Sequence, residues 1–236
     1  MKIIVSPAKT QDFMPGGPKE LSVPAFEREA LFLADRLSDL TKDELGRLMK
    51  IKGELLDRTC ESYRDFSAKE KKAALWTYSG EVFKQLGLEE YTSEEIRYLD
   101  EHLLILSALY GVLRPRDGIR PYRLDMTMKV PQVNLYQWWS TQMSEVFSKD
   151  EVILSLASKE FSKMVPYPLV EVLFKQKTPG GGHKEVAIYS KQARGLMLRY
   201  MVKQNVKQPG ELRHFRESGY RYEEVLSGEN RMVFVR

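Results

Sequence analysis

The chain contains a single cysteine, Cys60, so no internal disulfide can form. A reducing setting such as the cytoplasm is therefore the expected one. Cys60 sits in a helical context among charged residues, with no partner that would make it a reactive thiolate. The three histidines, His102, His183 and His214, are scattered without metal-ligand spacing. Glu211 and His214 form one Glu-x-x-His match, where a di-iron bundle needs two and two further glutamates. No apolar run approaches the ~20 residues that span a bilayer. The opening Met-Lys-Ile-Ile-Val-Ser-Pro has neither the length nor the cleavage site of a signal peptide. A Gly-x-x-x-x-Gly-Lys-Ser/Thr loop is also missing, and Gly180-Gly181-Gly182 reads as a turn. These gaps argue against a membrane protein, an iron store and a P-loop hydrolase, and they imply neither metal nor cofactor.

What is present is a well-charged chain of ordinary apolar content: 236 residues, 42% hydrophobic, 30% charged, with a net charge of +4. That length suits one large domain or two small ones, with a sizeable core. The mild net charge neither demands nor excludes nucleic acid, so the distribution of charge has to decide.

Lys2 to Val5 reads as a short buried strand, left by the loop Ser6-Pro7-Ala8-Lys9-Thr10. After the turn-rich Pro15-Gly16-Gly17-Pro18, residues 25 to 103 look helical. Thr41 with Glu44, and Ser67 with Glu70, have capping-box spacing. The second half alternates strands and helices. Val152 to Leu156 is an apolar strand; Val170 to Lys177 and Glu185 to Ser190 suggest a hairpin. A helix from Ser190 to about Val206 follows, and Tyr220 to Val225 with Met232 to Val235 make a last hairpin. Strands at both ends around a helical insert at about 25–100 predict one intertwined α+β (mixed α/β) unit spanning 1–236, with a central sheet and a helical subdomain.

Residues 106 to 126 carry Arg114, Arg116, Arg120 and Arg123 against only Asp117 and Asp125. Pro115 and Pro121 stiffen the segment and rule out a long helix or a central strand. Planar cations on a stiff loop suit phosphate or carboxylate ligands. The plainer alternative is that they pair with buried carboxylates and hold the loop. Lys191 and Arg194 would fall in the first turn of the helix after Ser190, where the helix dipole disfavours cations unless an anion is also there. Arg199, Lys203 and Lys207 follow at four-residue spacing and read as a solvated stripe or an approach surface for polyanions.

Ser6 and Lys9 leave the first strand at its carboxyl end, the usual ligand position in sheets flanked by helices. They suit a phosphate grip better than a nucleophile–base pair. Glu160 follows another strand end and could serve as acid or base, pair with Lys9, or simply favour a helix start. Arg47, Lys50 and Lys52 surround a tight connection ending at Gly53 between helices of about 42–49 and 53 onward. Such a helix pair can aim amides and cations at successive phosphates, although solvated lysines on an ordinary helix pair would look the same.

One stretch is recognisable as well as informative. Ser107-Ala108-Leu109-Tyr110-Gly111-Val112-Leu113-Arg114-Pro115, then Asp117 and Pro121-Tyr122-Arg123-Leu124-Asp125-Met126, resembles the signature of the YaaA family of bacterial peroxide-stress proteins (UPF0246). Ile4-Val5-Ser6-Pro7-Ala8-Lys9-Thr10, Leu135-Tyr136-Gln137-Trp138 and Ala193-Arg194-Gly195-Leu196-Met197 extend the resemblance over nearly the whole chain. The sequence departs from the family pattern with Ser155 for Asn, Lys159 for Asp or Asn, and Gln192 for Lys, which puts an acidic pair at 159 and 160 out of reach. The resemblance implies a cytoplasmic protein that binds double-stranded or distorted DNA through a helix-hairpin-helix-like element at about 42–56. It also implies a link to limiting free iron and iron-driven damage.

Two functions of different class compete. In one, the hairpin Arg47, Lys50, Lys52 and Gly53 joins a basic cleft of Ser6, Lys9, Arg114, Arg123, Lys191 and Arg194 to bind DNA. In the other, the same cations grip a nucleotide or nucleic-acid base while Glu160 acts as acid or base. A scaffold for an acidic protein is a third reading of the same basic surface. Oligomeric state is not legible.

Overall fold

Three consecutive fully buried residues, Ile3, Ile4 and Val5, require a strand covered on both faces, and they place it at the centre of the molecule. The computed structural model describes residues 1–236. That central strand is β1 (Lys2–Val5). The helices α1 (Glu27–Ser38), α2 (Lys42–Met49) and α3 (Glu54–Tyr63) come next, then β2 (Lys72–Ala73), α4 (Ala74–Thr77), α5 (Glu81–Lys84) and α6 (Ser93–His102). The strands β3 (Leu103–Ser107), β4 (Gly111–Leu113) and β5 (Gly118–Ile119) lead to α7 (Leu135–Val146), β6 (Ile153–Ser155) and α8 (Lys159–Ser162). The chain closes with β7 (Val170–Lys177), β8 (His183–Lys184), α9 (Ala187–Lys203), β9 (Arg221–Tyr222) and β10 (Arg231–Val235).

The main sheet runs β4-β3-β1-β6-β7-β10-β9, with β8 paired to β7. Its five inner strands are parallel, while β4 and β9 close the edges antiparallel. A two-stranded ribbon of β2 and β5 stands apart. The fold is thus mixed α/β with a mostly parallel sheet. Ile4 lies between Leu104 on β3 and Ser155 on β6. The chain places β3 on one side of β1 and later β6 on the other. Loops leaving β1 and β6 therefore diverge and open a crevice at the carboxyl end of the sheet, the usual ligand position in such folds. No helix is long and apolar enough to cross a membrane.

A core of 58 buried residues extends from Ile3 to Phe234 and includes Leu33 and Leu37 of α1 and Leu45 and Met49 of α2. Thr41 and Glu44 form the capping box expected of them at the start of α2. Ser67 and Glu70 do not: Phe66–Ala68 is one turn of 3-10 helix, and the chain then extends to pair β2 with β5. The working box is at Thr92 and Glu95, opening α6.

The second half holds a larger correction. The strand expected over Glu185 to Ser190 is only His183–Lys184, and α9 begins at Ala187 rather than Ser190. The pairing of β8 with β7 ends at Lys184↔Gln176, where the chain turns away into α9 instead of running back along β7 toward the edge that β6 occupies. Ile188 and Tyr189 remain exposed, and the chain satisfies its backbone by coiling instead.

His102, at the end of α6, uses Nδ1 to bond the Met1 carbonyl at 3.0 Å, while Nε2 is buried without a partner. Burial lowers the imidazole pKa from its ordinary value despite that bond. The unfolded chain then binds more protons than the folded one just below the ordinary histidine pKa, so stability falls as the medium is acidified through that range. Chemical denaturation at about pH 7 and about pH 5 is expected to show this loss, and His102→Gln is expected to shrink it.

Candidate functional site

Where β1 and β6 end, the two departing loops are tied together. The Ser158 amide donates to Ser6 Oγ at 2.8 Å, and the Ser6 hydroxyl donates to Ser158 Oγ at 3.2 Å. This link forms the floor of a cleft of about 690 Å³. One wall is the segment 122–125, another is α5 with Gly80, and a third is α9, which presents Lys191 and Arg194. Two close approaches shape it. A Cβ on Gly80 would come within 2.7 Å of the Ala8 Cβ, and Gly195 lets α9 pack directly onto the Val82 carbonyl of α5.

Five of the six cations and hydroxyls expected to share a cleft do so: Ser6, Lys9, Arg123, Lys191 and Arg194 all line it. Glu160 lines it too, its Oε1 accepting from the Met126 amide at 3.1 Å. The Tyr136 hydroxyl donates to the Glu160 carbonyl at 2.9 Å, fixing the short helix α8 against α7.

Arg114 lies elsewhere. Its amide and guanidinium bond Asp117, which is 1% exposed, and it also reaches the Val23 carbonyl. The other arginines of that loop divide in the same way. Arg116 pairs with Asp100, and the buried Arg120 pairs with Glu27 at 2.9 Å. Burial pushes the Glu27 carboxyl up, but hydrogen bonds from Lys71 and Arg120 outweigh it and hold its pKa below the ordinary value. Three of the four arginines therefore brace the loop, and Arg123 alone faces the cleft. The loop is held rigid beneath it as well. The Tyr63 hydroxyl at the end of α3 donates to the Arg123 carbonyl at 2.7 Å and accepts from its amide at 3.2 Å. The Tyr122 hydroxyl is locked between Tyr78 and Ser107 at 2.7 and 2.8 Å.

The cations in the cleft are not equivalent. Lys9 pairs with Asp125 at 2.7 Å, not with Glu160, so Asp125 is its counter-ion. Arg194 is 12% exposed and touches Glu185 at 3.3 Å. Its burial lowers its pKa, partly offset by Glu185 and Glu171, yet a guanidinium keeps its charge under such a shift. The Nε atoms of Arg123 and Arg194 are both buried with no hydrogen-bond partner. The buried Nε of Arg120, away from the cleft, is in the same condition, so an anion in the cleft would be met by the outer guanidinium nitrogens and by Lys191. Because α9 begins at Ala187, Lys191 and Arg194 occupy its second turn, so the helix end contributes less to that attraction than the sequence suggested. The stripe that follows is not free: Arg199 pairs with Glu90 and Lys203 with Glu95.

The second basic group occupies the connection of α2 and α3. Lys50 closes α2 in the left-handed conformation (φ 55°), and Gly53 opens α3 at φ 60°. Arg47, Lys50 and Lys52 are exposed there. Gly46 allows the two helices to touch, since a Cβ there would meet Leu56 at 3.0 Å. No group of three or more His, Cys, Asp or Glu side chains is arranged to hold a metal ion.

Sequence reasoning missed Glu81, which lines the cleft and accepts from Gln192 at 3.0 Å, and Tyr63, which positions Arg123. Glu81 falls in Gly80-Glu81-Val82, a stretch that shares in the family resemblance without marking a role, and Tyr63 stands in no segment that composition marks.

The family model described as peroxide stress protein YaaA matches residues 1–226. A UPF0246 protein of Rickettsia conorii is 34% identical over 248 aligned residues, covering both chains in full. One from Crocosphaera subtropica is 34% identical over 252, again in full. A Fusobacterium nucleatum relative is 35% identical over 246, covering all of this chain and 99% of its own. With Tyr122–Asp125 of the signature lining the cleft, the chain belongs to the YaaA (UPF0246) family of peroxide stress proteins.

Proposed function

We propose that this chain binds double-stranded or distorted DNA in the cytoplasm during peroxide stress, limiting iron-dependent damage to it. The observation that carries this reading is the gathering of cations in one cleft, with a second exposed basic group at the α2–α3 turn. Arg123, Lys191 and Arg194 converge on one cleft. Tyr63, bonded to Arg123, ends the ten-residue α3, and the same helix begins beside Lys50 and Lys52. Ten helical residues span about 15 Å, roughly four base-pair steps of a duplex. In this reading one DNA segment runs along α3 and meets both the helix-hairpin-helix-like turn and the cleft. Phosphate neutralisation by exposed lysines gives affinity that depends on salt and little on sequence. In fluorescence anisotropy with labelled duplex, Lys50→Glu with Lys52→Glu is expected to weaken binding at every salt concentration. It should also flatten the log–log salt slope by about two. Unchanged affinity would remove the hairpin from the interface.

A second reading has its own support. Glu160, oriented by the Met126 amide, shares the cleft with Lys191, Arg123 and Arg194, an arrangement suited to an enzyme acting on a nucleotide or base. Turnover or thermal stabilisation with a nucleotide panel, lost in Glu160→Gln, would favour it.

A further inference from the structure

Arg194 takes its counter-charge from outside the cleft. Lys9 is held by Asp125, which lines the same walls, but the partner of Arg194 is Glu185, between β8 and α9 and not among the lining residues. The two ends of this pair are held very differently. Arg194 is nearly buried and stands on α9 where Gly195 seats that helix against α5. Glu185 is 43% exposed, and every residue from Pro179 to Glu185 is exposed with it. Two register pairs, Gln176 with Lys184 and Lys177 with His183, fasten that hairpin to β7. The contact itself is slight: one nitrogen, Nη2, donates to Glu185 at 3.3 Å, beyond the usual N–H···O range. The buried Arg120, by contrast, donates to Glu27 at 2.9 Å and to the Ser67 carbonyl at 3.1 Å. A guanidinium has five N–H donors, so Arg194 keeps most of its capacity. Glu185 can leave without opening the core, and Glu171 on β7 keeps a negative charge near Arg194 when it does.

We propose that Glu185 is a tethered competitor, a carboxylate that occupies Arg194 in the free protein and must be displaced by an incoming anion. The proposal rests on the anion-binding part of the function above and does not require that the anion be DNA. When only a fraction of molecules is ready to bind, apparent affinity falls by that fraction. Every ligand that needs Arg194 is therefore weakened by the same factor. Small anions that bind poorly are kept out, while a ligand carrying several phosphates retains useful affinity. Displacement also frees the hairpin, so that ligand entry and local loosening of residues 178–186 become one event.

Two probes test this: inorganic tripolyphosphate by calorimetry, and labelled duplex DNA by anisotropy. Glu185→Gln is expected to bind both roughly fivefold more tightly, the equivalent of one partly exposed ion pair. Glu229→Gln makes the same charge change in the turn before β10, at the amino end of the sheet. It should alter affinity by no more than about 1.5-fold, because salt screens charges so far apart. In an Arg194→Gln background, Glu185→Gln should bring no gain, since the two residues act as a pair. Amide exchange over 178–186 should rise severalfold when tripolyphosphate binds wild type, and should already be high in free Glu185→Gln. A Glu185→Gln protein indistinguishable from Glu229→Gln with both probes, or one that gains as much without Arg194 as with it, would overturn the proposal. A gain with tripolyphosphate and no duplex binding at low salt would uphold the competitor and reject DNA as the anion. Failure of both probes to bind would overturn both.

Discussion

Asp117→Ala is expected to destabilise the fold by about 1–3 kcal/mol, the cost of leaving buried hydrogen-bond donors unmet, since the half-exposed Arg114 guanidinium can turn to water. Asp117 is 1% exposed and serves four donors: the Arg114 amide, two Arg114 guanidinium nitrogens and the Ser22 hydroxyl at 2.6 Å. Alanine leaves the Arg114 amide without its acceptor, and that backbone group cannot swing toward water as the guanidinium can. The backbone around it is woven into three segments. Asp117 is bridged to Ser22, and its carbonyl accepts from the Ala74 amide at 2.8 Å. Loss of the carboxylate should therefore loosen the brace beneath Arg123 as well as lower the melting temperature. Denaturant titration of the variant checks the first effect. A change within ~0.5 kcal/mol, as at an ordinary surface site, would mean that the arginine loop is held by other contacts.

Gly195→Ala is the second large effect. Alanine is ordinarily better than glycine inside a helix by roughly 0.5–1 kcal/mol. Here a Cβ would overlap the Val82 carbonyl and stand 2.7 Å from the Gln85 Cβ. Backbone cannot swing aside as a flexible side chain can, so α5 and α9 must separate. Overpacking of this kind costs about 1–3 kcal/mol, and the backbone clash places this site at the upper end. Glu81 and Val82 on α5, and Lys191 and Arg194 on α9, line opposite parts of one cleft. The variant should thus lose ligand affinity even under conditions where it remains folded. A Gly195→Ala protein as stable as wild type would show that the helices have room to spare.

The parts of this architecture that could be read from sequence are those whose determinants are local. Three buried apolar residues in a row declare β1, and the Thr41–Glu44 pair declares the start of α2. Lys9, Arg123, Lys191 and Arg194 drew notice as cations beside strand ends or on a stiff loop, but their meeting in space depends on β6 joining β1, which no local pattern encodes. The same limit explains Arg114. Its neighbour Asp117 is visible in the sequence, yet only the folded chain brings Ser22 and Val23 to complete the bracing site. The residues from 185 to 190 show the opposite failure. Their β-branched and aromatic character suggests a strand, but β8 pairs with β7 only at Gln176 and Lys177 and the chain then coils into α9, so tertiary context overrides propensity. Ser67 and Glu70 have the right spacing for a cap and no amphipathic run after them to make a helix worth starting.

The account depends most on cations from both basic groups contacting phosphates at once, and the salt dependence of wild-type binding to duplex DNA measures this directly. Two phosphates at Lys50 and Lys52 and one held in the cleft by Arg123, Lys191 and Arg194 predict a slope of log affinity against log salt of roughly −2 to −3. A slope near zero, or no binding at low ionic strength, would contradict it.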